Sequence, residues 1–182
     1  MNIVEAGNGN EALKKFIKGK YDLVILDISL PDISGLELLK QFRRTDDKAR
    51  ILILSMHPEE HFALRSIKSG AYGYLTKDAS VEEILKSVNR ILSGKKYISE
   101  KIAEQIALKI DFERMPMLHE LLSDREFEIM LYIAKGTSLN DISQKLFISD
   151  KTVGTYRSRI MDKMNMQRNA ELTLYCVKNE LI

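Results

Sequence analysis

One cysteine, no tryptophan and three histidines stand in a chain of 182 residues. A single thiol, Cys176, excludes an intramolecular disulfide framework and fits a reducing compartment. Within "LTLYCVKNEL" it reads as a buried thiol on a helix. His57, His61 and His119 do not cluster beyond one i, i+4 pair, which leaves out a zinc-type site. No uninterrupted apolar stretch approaches the length that crosses a bilayer, and the start lacks a basic, apolar, small-residue leader. A cytoplasmic protein without a membrane partner is expected. The net charge is only +2, so no field of one sign marks the chain as a whole. Residues 118–182 balance nine basic against nine acidic side chains. Within 150–168, however, Lys151, Arg157, Arg159, Lys163 and Arg168 face only Asp150 and Asp162, a local basic stripe of the kind that meets nucleic acid.

What is present is an ordinary globular composition, 45% hydrophobic and 30% charged, in a length that supports one large or two small domains. Strand-like runs occur at Ile3 to Glu5, Leu23 to Asp27, Ile51 to Ser55 and Tyr72 to Leu75. Helical periods separate them at Glu11 to Lys18, Leu36 to Arg44, Glu59 to Ser69 and Val81 to Leu92. Strands alternating with helices predict a parallel, doubly wound sheet. The run Leu23, Val24, Ile25, Leu26 does not alternate, so coverage on both faces is expected, with Asp27 emerging at the carboxyl edge where such sheets keep their sites. Ser34 with Glu37, Ser80 with Glu83, and Ser123 with Glu126 have capping-box spacing.

The pattern changes near Gly94. "SEKIAEQIALKI" repeats Ile102, Ile106 and Ile110 at helical spacing, and Pro116 in "DFERMPM" ends the segment. From Ser123 onward everything reads as helix. "LSDREFEIMLYIAKG" stops at Gly136, "SLNDISQKLFIS" is short, and "DKTVGTYRSRIMDKM" follows a cap at Ser149. Two short helices joined by a tight turn, the second rich in Lys, Thr, Tyr, Arg and Ser, predict a helix-turn-helix that enters the major groove of double-stranded DNA.

Three successive strand ends carry Asp27, Ser55 and Lys77, which a parallel sheet would gather at one edge. Each has an ordinary reading alone: a turn acid, a helix cap ahead of Pro58, a solvated lysine. Their joint spacing favours a site. A rival pattern is "GNGNEA", residues 7–12, with Asp27 about twenty residues on, which imitates a dinucleotide fingerprint. It leaves Ser55, Lys77 and the helical segment unexplained, and a plain Asx or glycine turn serves as well. A haloacid-dehalogenase-like phosphatase would want a second acid at Ser29.

Residues 118–182 resemble the LuxR-type DNA-binding domain through "LSDREFEIMLYIAKG", "ISQKLFISDKTV", Arg168 and Ala170. Residues 1–93 resemble a response-regulator receiver through "LVILDISLPDISGLELL", "ILILSMH" and "GAYGYLTKDAS". Together they resemble the NarL/FixJ class of two-component transcription factors, with 94–117 as a helical linker. The resemblance implies an α/β receiver followed by an all-α helix-turn-helix domain, and a regulator rather than an enzyme. It makes Asp27 the phosphoacceptor, with Ser55 bonding a phosphate oxygen, Lys77 neutralising another and Tyr74 turning inward to report the change. It also implies a sensor histidine kinase, a homodimer on DNA, and RNA polymerase as a candidate partner.

The resemblance has gaps. The chain starts at what looks like the family's second strand, without the acidic pair that holds Mg²⁺. That leaves Asp27 and the Ser29 backbone carbonyl as ligands, and implies either a direct pairing of the neighbouring strands or an unpaired gap. An N-terminally incomplete version of a longer protein is expected, the alternative being a degenerate regulator that binds DNA without phosphate. On the recognition helix the exposed positions are Lys151, Thr152, Gly154, Thr155, Tyr156, Ser158, Arg159 and Lys163, with Val153, Ile160 and Met164 buried. Thr155 and Ser158 are expected near base edges, and Lys151, Tyr156, Arg159 and Lys163 on phosphates. Gly154 stands where lysine is usual and Tyr156 where histidine is. Glycine costs a helix about 1 kcal/mol relative to alanine, so weak monomeric binding is expected. Ala170, Leu174, Val177 and Leu181 form a stripe that is read as closing the domain and contacting a second copy, pure core packing being the alternative.

Overall fold

The computed structural model describes residues 2–100, 102–104 and 117–182. The chain divides into two compact units, Met1–Phe112 and Glu113–Ile182. The division falls inside the segment read as a linker, of which Ile106, Ile110 and Pro116 lie outside the described residues; Ile102 is buried.

The first unit runs α1 (Gly9–Lys18), β1 (Val24–Leu26), α2 (Gly35–Thr45), β2 (Ile51–Ser55), α3 (Glu59–Lys68), β3 (Gly73–Thr76) and α4 (Val81–Leu92). The strands form a parallel sheet in the order β1-β2-β3, with Leu26 beside Ile53 and Ser55 beside Thr76. Ile51, Leu52 and Ile53 are fully buried, with Leu36, Leu39, Phe42 and Phe62 from the flanking helices. Such a central strand, apolar at every position, is what helical cover of a parallel sheet demands.

Gly35 explains how α2 reaches the end of β1. Its N–H donates to the Ile28 carbonyl at 2.7 Å, and a Cβ there would meet the Asp27 carbonyl oxygen at 1.9 Å. Only glycine lets the helix approach so closely.

Three expectations are corrected. Ile3 to Glu5 is extended but forms no strand, and Ile3 and Val4 are exposed. A strand needs a ladder partner, and among the described residues none pairs with this segment or with the outer side of β1. Instead the Glu5 carbonyl accepts a hydrogen bond from Lys15 Nζ at 2.5 Å. Strands do not close up across that space, so the direct-pairing alternative is not what forms. The Leu23–Leu26 run is not covered on both faces either, since Ile25 is 51% exposed at the sheet's edge. Ser34 precedes α2 without capping it. Its backbone bridges Ser29, and its hydroxyl is buried with no partner among the described residues.

Among its described residues the second unit contains helices and no strand. A 3-10 turn (Leu118–Leu121) precedes α5 (Asp124–Ala134), α6 (Leu139–Leu146), α7 (Asp150–Met164) and α8 (Asn169–Lys178). Ser123 and Glu126 close the complete capping box that starts α5. Ser80 caps α4 and Ser149 caps α7. Gly136 takes a positive φ of 77° just past α5, the left-handed stop that glycine serves best. Phe127, Ile129, Met130, Ile142, Val153, Ile160 and Leu172 fill the core. Arg125 is buried with them, donating to Glu128 Oε2 at 2.8 Å and to the Leu146 carbonyl at 2.9 Å. That pair ties α5 to the end of α6.

Candidate phosphoacceptor site and nucleic-acid interface

Parallel pairing puts the carboxyl ends of all three strands at one edge. Asp27 follows β1, Ser55 ends β2 and Lys77 follows β3. Lys77 Nζ lies 2.6 Å from Asp27 Oδ2, and the Lys77 N–H donates to the Ser55 carbonyl at 2.8 Å. The other carboxylate oxygen, Oδ1, accepts the Ser29 N–H at 3.1 Å. A partly exposed carboxylate beside an ammonium is a nucleophile whose product charge already has a counterion.

Ser55 is fully buried, and its hydroxyl accepts the His57 N–H at 3.3 Å. Tyr74 is buried too, donating its phenol to the His57 carbonyl at 2.8 Å. Burial above all, with the charges of Glu59, Asp27 and Glu60, raises the Tyr74 phenol above its ordinary range despite the opposing hydrogen bond with Ser55. The phenol therefore stays protonated and keeps donating. His57 joins Ser55 and Tyr74 through its backbone, and its ring Nε2 lies 3.0 Å from Ser29 Oγ while stacking on Phe62. Sequence reasoning misses His57, because a backbone carbonyl carries no residue-type signal; its place two residues past Ser55 is the only hint.

Receiver domains in general use Mg²⁺ for phosphorylation. Mg²⁺ wants near-octahedral oxygen ligands, including carboxylates. The described residues contain no group of three or more His, Cys, Asp or Glu able to hold a metal, and one oxygen of Asp27 is engaged by Lys77. Asp27 and the Ser29 carbonyl do not fit Mg²⁺ by themselves.

The glycine-rich rival resolves into a self-capped turn. Asn8 accepts the Glu11 N–H at 2.9 Å. Asp32 accepts the N–H groups of Gly9 and Asn10 at 2.7 and 2.8 Å. Burial pushes the Asp32 carboxyl up, but these N–H donors outweigh it and hold it below the usual carboxylate range. The chain's own acid thus occupies the helix start where a pyrophosphate would bind, and among the described residues no strand precedes it.

In the second unit α7 carries all eight DNA-facing candidates, and Val153, Ile160 and Met164 are buried as expected, joined by Met161. Lys151, Thr155, Ser158, Arg159 and Lys163 are exposed; Thr152, Gly154 and Tyr156 are half-buried. Thr152 shares a 2.8 Å hydrogen bond with the cap Ser149. Thr155 and Ser158 donate to the Lys151 and Gly154 carbonyls at 3.0 and 3.2 Å, which leaves their oxygen lone pairs facing outward. The Arg159 guanidinium lies 6.0 Å from the Tyr156 ring centre. Two members of the basic stripe are engaged inside the unit: Arg157 donates to Asn169 Oδ1 at 2.8 Å, and Lys163 donates to Glu126 Oε2 at 2.6 Å.

The stripe on α8 is corrected. Leu172, Cys176 and Leu181 turn inward, whereas Leu174 and Val177 are 70% and 55% exposed. Of the predicted stripe only Leu181, which lies past the end of α8, is buried, because α8 meets α5 through the face that carries Leu172 and Cys176. Burial raises the Cys176 thiol to about 11, as for an inert core cysteine.

Comparison with known proteins matches both units. Residues 1–89 match the response regulator receiver domain family, and residues 120–176 match the bacterial regulatory proteins of the luxR family. The response regulator UvrY of Escherichia coli (strain K12) is 36% identical over 178 residues, spanning 97% of this chain and 82% of UvrY. The crystal structure of a LuxR-family two-component response regulator from Aurantimonas sp. SI85-9A1 is 35% identical with a TM-score of 0.54, covering 59% of this chain and 77% of that one. RcsB from Salmonella enterica serovar Typhimurium, solved bound to a promoter in the presence of phosphomimetic BeF₃⁻, shares the fold at 21% identity. Its TM-score is 0.52, over 93% of this chain and 81% of RcsB. No helix among the described residues is long and apolar enough to cross a membrane.

Proposed function

Because the chain is a response regulator of the NarL/FixJ class, a two-component transcription regulator with a receiver and a LuxR-type DNA-binding domain, we propose that phosphorylation of Asp27 controls its binding to DNA. The observation that carries this reading is the 2.6 Å contact of Lys77 Nζ with Asp27 Oδ2 at the strand edge that also holds Ser55. A sensor kinase or a small phosphodonor supplies the phosphoryl group. The new charge draws Lys77 and the Ser55 hydroxyl, and moving that hydroxyl disturbs the His57 and Tyr74 hydrogen bonds that report it. The receiver spans 1–93, the linker 94–117 and the DNA-binding domain 118–182. The protein works in the cytoplasm.

On DNA, α7 lies in the major groove with Lys151 and Arg159 on phosphates, Tyr156 alongside, and Thr155 and Ser158 toward base edges. Thr152 and Gly154 line the approach. The exposed Ala170, Leu174 and Val177 face contacts a second copy, and RNA polymerase is the downstream partner.

Intact-mass analysis of the 182-residue chain after incubation with acetyl phosphate, with and without Mg²⁺, tests the acceptor. A phosphoryl adduct lost in Asp27→Ala is expected. No adduct under any condition favours the second reading, DNA binding without phosphate, which one observation supports: Tyr74 is already turned inward.

A further inference from the structure

Lys163 has a partly exposed side chain near the end of α7, and by charge alone it belongs with the phosphate contacts. Its ammonium points elsewhere. It lies 2.6 Å from Glu126 Oε2, and Glu126 is almost wholly buried at the start of α5. The same oxygen accepts the Ser123 N–H at 2.7 Å, while Ser123 Oγ accepts the Glu126 N–H at 3.3 Å. One carboxylate therefore caps the first helix and grips the last turn of the recognition helix, across 37 residues of sequence. Burial raises the Glu126 carboxyl, but Lys163 and Ser123 outweigh it, and the group is held below its ordinary range. It stays charged at neutral pH. A lysine that left this site for a phosphate would strand a buried carboxylate, which is costly.

We propose that Lys163 is a positioning residue: its ion pair with Glu126 seats the C-terminal end of α7 on α5 and so sets how the recognition helix presents Thr155, Ser158 and Arg159 to DNA, without itself neutralising a phosphate. The proposal rests on the DNA-binding reading above. It separates two roles that sequence merges, since a phosphate-contacting lysine and a helix-seating lysine look alike on a basic stripe. The two roles differ in salt dependence. Each phosphate neutralised adds about 0.9 to the slope of log K against log salt, whereas a contact within the protein adds nothing.

The test uses the full chain and a duplex selected from randomised DNA with the wild-type protein, titrated over a range of salt. Lys163→Met and Glu126→Gln are each expected to weaken binding by about tenfold with the slope unchanged. The double variant is expected to bind no worse than either single one, the non-additivity of a shared interaction. Lys163→Arg, which keeps the pair, restores binding. Glu126→Gln keeps an oxygen for the Ser123 N–H, so the capping box and the fold survive, and circular dichroism melting checks this. A slope reduced by about 0.9 in Lys163→Met, together with unchanged or tighter binding in Glu126→Gln, overturns the proposal while leaving DNA binding intact. Absence of any wild-type binding, even to mixed-sequence duplex at low salt, overturns the DNA-binding reading and the proposal with it.

Discussion

In the first unit the candidate site is assembled from three strand ends, so that Lys77 meets Asp27 across 50 residues of chain, whereas in the second unit one helix, Asp150–Met164, carries every candidate contact. The first arrangement depends on topology. A parallel sheet must form before the carboxylate, hydroxyl and ammonium share an edge. The second depends on how one helix is seated, since its outward residues are set by a 3.6-residue period once its inner face is packed. Ion pairs follow the same division. Lys77–Asp27 is partly exposed at the edge of the sheet, where the proposed chemistry would use it. Arg125–Glu128 is buried, and its geometry serves packing.

Removing one partner from each pair separates these roles. Arg125→Met removes two buried hydrogen bonds, to Glu128 Oε2 and to the Leu146 carbonyl, and the expected loss is about 3–5 kcal/mol in urea unfolding followed by circular dichroism. Ser34→Ala changes stability in the other direction. It removes a buried hydroxyl that has no partner among the described residues and makes no cap bond, so a gain of about 1 kcal/mol is expected in the same assay. Gly154→Ala sharpens the view of α7 as a seated helix. A Cβ there meets nothing within 4 Å, and thermal melting should show a gain of up to about 1 kcal/mol. Lys77→Met has the smallest effect on folding, under about 1 kcal/mol by the same melt, yet it should slow phosphoryl incorporation from acetyl phosphate. A large stability loss with unchanged incorporation would erase the contrast between the two pairs.

The same contrast explains what was legible in the sequence. Ile51 to Ser55 and Val81 to Leu92 read correctly because burial pattern and capping residues agree there. Asp27, Ser55 and Lys77 read as a site because their positions at successive strand ends leave few other roles. Ile3 to Glu5 misleads, since an apolar, β-prone run says nothing about whether a ladder partner exists. Ser34 misleads in a related way: capping-box spacing is local, but its backbone bridge to Ser29 and its burial are decided by tertiary structure. His57 acts through its main chain and so leaves no trace in residue type. Spacing announces Glu126 as a capping residue but cannot show its second partner, Lys163. On α8 apolar residues at a spacing of three and four occur on both sides of the helix, and packing against α5 chose Leu172 and Cys176 over Leu174 and Val177.

The central claim is that chemistry at the sheet edge governs a helix in another unit. Its most direct test is the affinity of the full chain for its selected duplex, measured by fluorescence anisotropy before and after treatment with acetyl phosphate and Mg²⁺, with Asp27→Ala in parallel. The account predicts that phosphodonor treatment changes the wild-type affinity and leaves the Asp27→Ala affinity where it was. Equal affinities for treated and untreated wild-type protein, with the phosphoryl adduct present by mass, would contradict it.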